Sequence, residues 1–219
     1  GGGGYDQAVF HDSPGNDQFV AAPGFGSLVG PGFAQQVLRF GSVRADASAG
    51  GVDVAKLFDS PGNDELVATP VYARLAGNGF ALQTERFDGV HAYAVAGGVD
   101  VAKMFDSAGA DTFHAEPTSA ALYGTGFFNR AKFFEGVHAY ATAGGIDVAR
   151  LIGSAADDTF FALPDSAALY GAGFFNRAKF FEQLDVDGGA GAHDRAVLND
   201  SAGDDLLSAT GGQARLVNA

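Results

Sequence analysis

The sequence predicts an all-β chain, a parallel β-solenoid of the β-helix or β-roll kind, and three observations carry that expectation. A period of 47 residues runs through the 219-residue chain without insertion or deletion: Asp12, Asp59, Asp106 and Asp200 share one column, with Gly153 its exception. The columns beginning at Asp6, Ala8, Ser13, Asp17 and Ala21 each hold the same residue in every copy. Within each copy apolar and polar residues alternate with period two, the pattern of half-buried strands. A fixed period makes every unit stack on its neighbour in one way, so the chain reads as a single solenoid domain, residues 1–219. Full repeats span 12–58, 59–105, 106–152 and 153–199, with partial units at 3–11 and 200–219.

The elements follow in order along repeat two. Four alternating stretches are legible: Asp53-Ala55-Leu57, Leu66-Ala68-Pro70, Ala73-Leu75-Gly77 and Val90-Ala92-Ala94-Ala96. Intervening residues such as Lys56, Arg74, His91 and Tyr93 then face solvent. AKLFDS and ARLAGN resemble one another, each followed by a turn and a strand. The repeat therefore reads as two coils of roughly 18 and 29 residues, each giving a strand to two facing parallel sheets. Leu28, Leu75, Leu122, Leu169 and Leu216 are expected to form one core ladder along the axis, and Phe40, Phe87, Phe134 and Phe181 another. Phe33, Phe80, Phe127 and Phe174 make a third.

One segment breaks the strand pattern. Phe127, Ala131 and Phe134 are spaced i, i+4, i+7, so FFNRAKFFE reads either as a short helix in each repeat or as a loop anchored by Phe at both ends. The turn Ser60-Pro61-Gly62-Asn63 places Pro at i+1 and Gly at i+2, as a type II turn requires. Asp59 and Asp64 bracket it and can accept turn amides. In repeat four QLDVDGGAGA replaces GVHAYATAGG, the one place where the repeat decays.

Composition narrows the function classes. Hydrophobic residues make up 47 %, with 20 Phe, enough for a continuous core. A net charge of −13 argues against nucleic acid and anionic membranes, which require a basic footprint, and leaves divalent cations or basic partners open. There is no cysteine and therefore no disulfide or thiolate site. No run of about 18 apolar residues predicts a membrane-inserted span. Gly3-Gly4 are in register with Gly50-Gly51, whereas Gly1 and Gly2 read as linker; the chain is expected to be part of a longer polypeptide.

Two constellations could carry binding chemistry. The turns DSPGNDQFV and DSPGNDELV, with their copy in repeat three, make Asp12, Asp17, Asp59, Asp64, Asp106 and Asp111 candidate calcium ligands, since calcium takes six to eight oxygens. Against this, equivalent carboxylates two coils apart would lie roughly 9.6 Å from each other. Their repulsion in water is then about 0.4 kcal/mol, so no cation is required and each Asp serves as well by capping turn amides. The stack neighbour of the acidic turn is expected to be Gly77-Asn78-Gly79. The second constellation, His91 and Tyr93 with His138 and Tyr140, forms two rows of rings on an outer face that could bind a glycan or another protein surface. Arg130, Lys132, Arg177 and Lys179 read as a solvated face balancing Glu135 and Glu182.

The GND-x-apolar turns are similar to those of the RTX calcium-binding β-rolls, although that family repeats its motif every nine residues and this chain every 47. The whole chain resembles tandem repeats with DSxGxDxF and GFxxxAxxF motifs from very large bacterial secreted or surface proteins, departing at Gly153 and with Leu66 and Leu207 in place of Phe. That resemblance implies an extracellular or cell-surface setting and a structural, adhesin-like, spacer or matrix role. It implies no reaction and no required cofactor. A calcium-binding module that folds on export is the alternative. A carbohydrate-active β-helix is a further one, and its site would lie where the repeat breaks, at Asp185, Asp187, His193 and Asp194.

Overall fold

The structure, a computed structural model, describes residues 6–191, 193–202, 205–210 and 213–218, the last two segments by their backbone alone. Each repeat period contributes five strands. They begin with β1 (Gln7–His11), β2 (Gln18–Ala22), β3 (Phe25–Gly30), β4 (Phe33–Leu38) and β5 (Ser42–Asp46). The pattern recurs as β6 (Val54–Phe58), β7 (Glu65–Thr69), β8 (Tyr72–Gly77), β9 (Phe80–Glu85) and β10 (Gly89–Tyr93). The third set is β11 (Val101–Phe105), β12 (Thr112–Glu116), β13 (Ser119–Gly124), β14 (Phe127–Lys132) and β15 (Gly136–Tyr140). The fourth is β16 (Val148–Ile152), β17 (Thr159–Leu163), β18 (Ser166–Gly171), β19 (Phe174–Lys179) and β20 (Gln183–Asp187). Then come β21 (Arg195–Leu198), β22 (Asp205–Thr210) and β23 (Gln213–Asn218), the last two forming a separate antiparallel hairpin.

Two facing sheets hold β1 to β21, and the chain winds between them as a β-solenoid. The first sheet runs β1-β5-β9-β8-β7-β11-β15-β19-β18-β17-β21 and the second β20-β16-β12-β13-β14-β10-β6-β2-β3-β4. Strands on neighbouring coils pair in parallel, while each repeat lays three of its five strands into one sheet as an antiparallel meander, such as β7-β8-β9. Two-residue loops close these hairpins, and in the second of them Gly32, Gly79, Gly126 and Gly173 sit at φ near +80°, where a side chain is disfavoured.

A meander does not change sheets, so the chain crosses between sheets three times per repeat. Three is odd. Equivalent elements of consecutive repeats therefore lie in opposite sheets: β6 belongs to the second sheet and its counterpart β11 to the first. The two-coil expectation is corrected to one and a half circuits per repeat. Five strands shared by two sheets advance the stack by two and a half strand spacings, about 12 Å.

Both readings of FFNRAKFFE, the short helix and the anchored loop, are also corrected. Phe127–Lys132 is β14, with Phe127, Asn129 and Ala131 buried in strict alternation, and no helix occurs among the described residues. Asn129 is the reason the alternation was hidden, because it places an amide at a core position. That amide donates to the Thr69 carbonyl at 2.9 Å, across from the opposite sheet.

Core packing sets small against large. Ala55 pairs with Val90 and Leu57 with Ala92, while Ala102 pairs with Leu66 and Met104 with Ala68. The expected ladders of identical residues do not form, because sheet alternation separates the copies. Leu75 lies between Leu66 and Leu82, and Leu122 between Phe113 and Asn129. The side chain of Leu216 falls outside the described residues.

Candidate functional site

The connections between sheets form three-layered cassettes, each built from an acidic turn, a Gly-Gly turn and a short turn. In the second cassette these are residues 59–64, 94–100 and 133–135. Asp59 accepts the Ala96 amide at 2.9 Å, the Asn63 side-chain carbonyl accepts Val99 N–H at 2.9 Å, and Asp100 accepts Asp64 N–H at 2.8 Å. Asp64 turns inward and accepts both the amide and the hydroxyl of Ser60. Glu135 completes the stack by accepting Asp100 N–H at 2.7 Å. The first and third cassettes repeat this arrangement through Asp17, Asp53 and Asp88 and through Asp111, Asp147 and Glu182.

The stack neighbour of the acidic turn is thus the Gly97-Gly98 turn, not Gly77-Asn78-Gly79, which closes the β8–β9 hairpin. Gly98 has φ +119°, and a Cβ there would lie 2.2 Å from the Gly62 carbonyl oxygen. Gly62 itself avoids the left-handed region, so the expected type II turn is not formed. The Ser60 hydroxyl accepts its amide at 3.2 Å instead. The first glycine of the Gly-Asn-Gly run has another duty, because a Cβ on Gly77 would fall 1.6 Å from the Asp64 carboxylate.

Cassettes alternate between the two edges of the solenoid, since each repeat is turned by half a circuit relative to the last. Acidic turns that share an edge are five strands apart, about 24 Å, which replaces the 9.6 Å separation expected from two coils per repeat. The close contact is of another kind. Oxygens of Asp59, Asp64 and Asp100 lie within 4.8 Å of one another, all three side chains buried, and Asp12, Asp17 and Asp53 form the same group. At that distance two ionised carboxylates repel by roughly 3.5 kcal/mol at an effective dielectric of 20.

Burial pushes the Asp100 carboxyl up to about 6, opposed by the Asp64 amide and reinforced by the charges of Glu135, Asp59 and Asp64. Asp53 and Asp147 are raised for the same reason, burial first. In the third cassette Asp106 accepts Ala143 N–H through one oxygen, while its buried Oδ1 accepts no hydrogen bond among the described residues. Of the six Asp expected to bind calcium, the structure groups Asp12 with Asp17 and Asp59 with Asp64. It adds Asp53 and Asp100, 36 residues beyond Asp17 and Asp64, whose column is invariant in the repeat but whose place beside the acidic turn follows only from the winding.

Gly153 now has a reason. A Cβ at this position would lie 2.2 Å from the Gly188 carbonyl and 2.7 Å from the Asp158 carboxylate, leaving no room for the usual Asp. Around the repeat break, Asp194 accepts Asp158 N–H, Asp187 accepts Gly189 N–H, and Asp185 pairs with Arg150 at 3.4 Å. His193 faces Asp157, 3.8 Å away. These four residues thus make separate local contacts.

The outer faces carry the second constellation. Lys56, His91 and Arg130 are in register across β6, β10 and β14, and Lys103, His138 and Arg177 across β11, β15 and β19 on the opposite sheet. Tyr93 stacks on Phe58 with centroids 5.0 Å apart and planes 13° from parallel, and Tyr140 stacks on Phe105 identically. His91 and His138, half-buried, are each pushed down to about 4 by burial and then by neighbouring cations, Arg130 first for His91 and Arg177 first for His138. The four expected ring residues therefore do not form one strip; each His-Tyr pair belongs to its own sheet. Glu135 and Glu182 are spent on backbone amides, and neither makes an ion pair with Arg130, Lys132, Arg177 or Lys179 among the described residues.

No family model matches the chain, and neither a curated protein nor a solved structure is found to be similar to it.

Proposed function

We propose that the chain is a structural and interaction module, a stackable solenoid that extends or anchors a larger secreted or cell-surface protein. The observation that carries this reading is the cassette. Its carboxylates and amides are engaged in joining one coil to the next, in the same pattern at three successive repeats. A unit that docks on its copy by a fixed bond set can be added without redesign. Chains of three, five and seven repeats, compared by small-angle scattering, should lengthen by about 12 Å per repeat. A maximum dimension that does not grow with repeat number would overturn the reading.

A second reading, calcium binding within the cassettes, is favoured by the two carboxylate triads, one wholly buried and one with only Asp12 partly exposed, and by the Asp106 Oδ1 that has no partner among the described residues. Asp12, Asp17 and Asp53, and likewise Asp59, Asp64 and Asp100, offer the hard oxygen donors that calcium prefers, and a bound cation would remove their mutual repulsion. Melting the protein in calcium and in chelator tests it. An unchanged melting temperature refutes the metal while leaving the scaffold intact.

A further inference from the structure

We propose that the two outer faces each hold a binding site for an anionic polysaccharide, one centred on Lys56, His91 and Arg130 and the other on Lys103, His138 and Arg177. This rests on the interaction reading above and gives it a partner. The sites are built alike. In each, a lysine and an arginine flank a neutral histidine, and this row lies between stacked aromatic pairs: Phe58–Tyr93 and Phe128–Tyr123 on one sheet, Phe105–Tyr140 and Phe175–Tyr170 on the other. The lysine that follows each arginine, Lys132 or Lys179, extends the row of Phe58–Tyr93 or Phe105–Tyr140.

Charge is the first argument. The chain carries 26 acidic and 13 basic residues, yet Lys56, Arg130, Lys132, Arg177 and Lys179 make no ion pair among the described residues, and of the six lysines and arginines at the two sites only Lys103 is paired, with Glu65 at 2.5 Å. A cluster left uncompensated in so acidic a protein is complementary to an anion from outside. Unspent hydrogen-bonding capacity is the second. Among the described residues the Arg130 guanidinium donates no hydrogen bond, and that of Arg177 donates only to the Tyr140 hydroxyl, at 3.3 Å. Arginine presents its donors in a planar fork that suits carboxylate and sulfate.

The rings decide what kind of polyanion fits. The edges of the stacked Tyr–Phe pairs form an apolar border beside the cations, against which the C–H groups of a pyranose can pack while its charged group reaches the row. Duplex DNA, with one charge per about 1.7 Å, would instead bring its phosphates against the acidic cassettes at both edges. Because the sites face opposite directions, one molecule can bridge two polysaccharide strands, and repeated weak contacts add through avidity.

The test uses the intact chain with four probes: polygalacturonate for carboxylate, dextran sulfate for sulfate, neutral dextran, and a short DNA duplex. Retardation in affinity electrophoresis by at least one of the anionic glycans, but not by dextran, is expected, weakening at high salt. The double variant Arg130→Gln/Arg177→Gln should lose binding at least tenfold. Either single variant should retain binding but lose the ability to cross-link the glycan, read as turbidity. Should an arginine variant fail to fold, Lys56→Gln/Lys103→Gln makes the same comparison. The proposal is overturned by failure to bind either anionic glycan, by equal binding of dextran, by tighter binding of DNA, or by a folded double variant that binds unchanged. A chain that lengthens with repeat number yet ignores every glycan would sink this proposal and spare the scaffold.

Discussion

Replacing Asp100 by Asn probes the buried carboxylate triad directly. The folded protein holds this carboxyl at about 6 instead of 3.8, chiefly because it is buried. Folding is therefore most favoured by this group below pH 3.8, and that advantage is lost as pH rises through about 6. The shift corresponds to up to about 3 kcal/mol taken from stability at neutral pH. Asn keeps the oxygen that accepts Asp64 N–H and replaces the charge with an amide donor facing Asp59 and Asp64. In chelator-treated buffer at pH 7.5, Asp100→Asn should be more stable than the wild type by about 1–3 kcal/mol, which raises a chain of this size by roughly 2–4 °C per kcal/mol. At pH 3.5, below the unfolded-state value of 3.8, the two should nearly coincide. Thermal and urea denaturation followed by circular dichroism reads both values. A variant less stable at both pH values, or a gap independent of pH, would refute the electrostatic account of the triad.

Other substitutions test the packing. Gly77→Ala should destabilise by about 3 kcal/mol or more, because its methyl would occupy the Asp64 carboxylate and must displace it; urea denaturation would show a lower midpoint. Asn129→Leu restores the residue type found at Leu82, yet it strands the Thr69 carbonyl, and a loss of about 1–3 kcal/mol is expected by the same assay. Phe133 sits at φ +66° and is 44 % exposed, so Phe133→Gly should raise the melting temperature, by about 1 kcal/mol of relieved strain, less whatever the Lys132 contact with its ring contributes. An unchanged or lowered melting temperature would mean that the ring contact outweighs the strain.

The parts of the fold written in alternation were readable, and the parts written in turn geometry were not. Four of the five strands of repeat two follow the apolar periodicity, and β9 was missed together with its copies. In repeat three the buried Asn129 interrupts the apolar series, so the helical spacing of Phe127, Ala131 and Phe134 stands out instead. Repeat two shows the truer pattern, since Phe80, Leu82 and Thr84 are all buried. The Asn78-Gly79 pair between alternating segments is a two-residue hairpin signal, and reading it that way would have revealed the meander and with it the odd number of crossings.

The site was half legible for a related reason. Asp59 and Asp64 announce themselves because they bracket one turn. Asp100 comes from the adjoining coil, whose offset of 36 residues differs from the repeat length, and only the winding path brings it there. The cationic rows were hidden likewise: Lys56 and Arg130 are 74 residues apart and meet only because β6 and β14 both pair with β10.

The extra half circuit in each repeat also gives the array a parity. After an even number of units the chain leaves on the sheet it entered, and after an odd number it leaves on the other. Gain or loss of a single 47-residue unit would therefore do more than change length. It would turn whatever follows to the opposite side, while a change by two units would preserve direction.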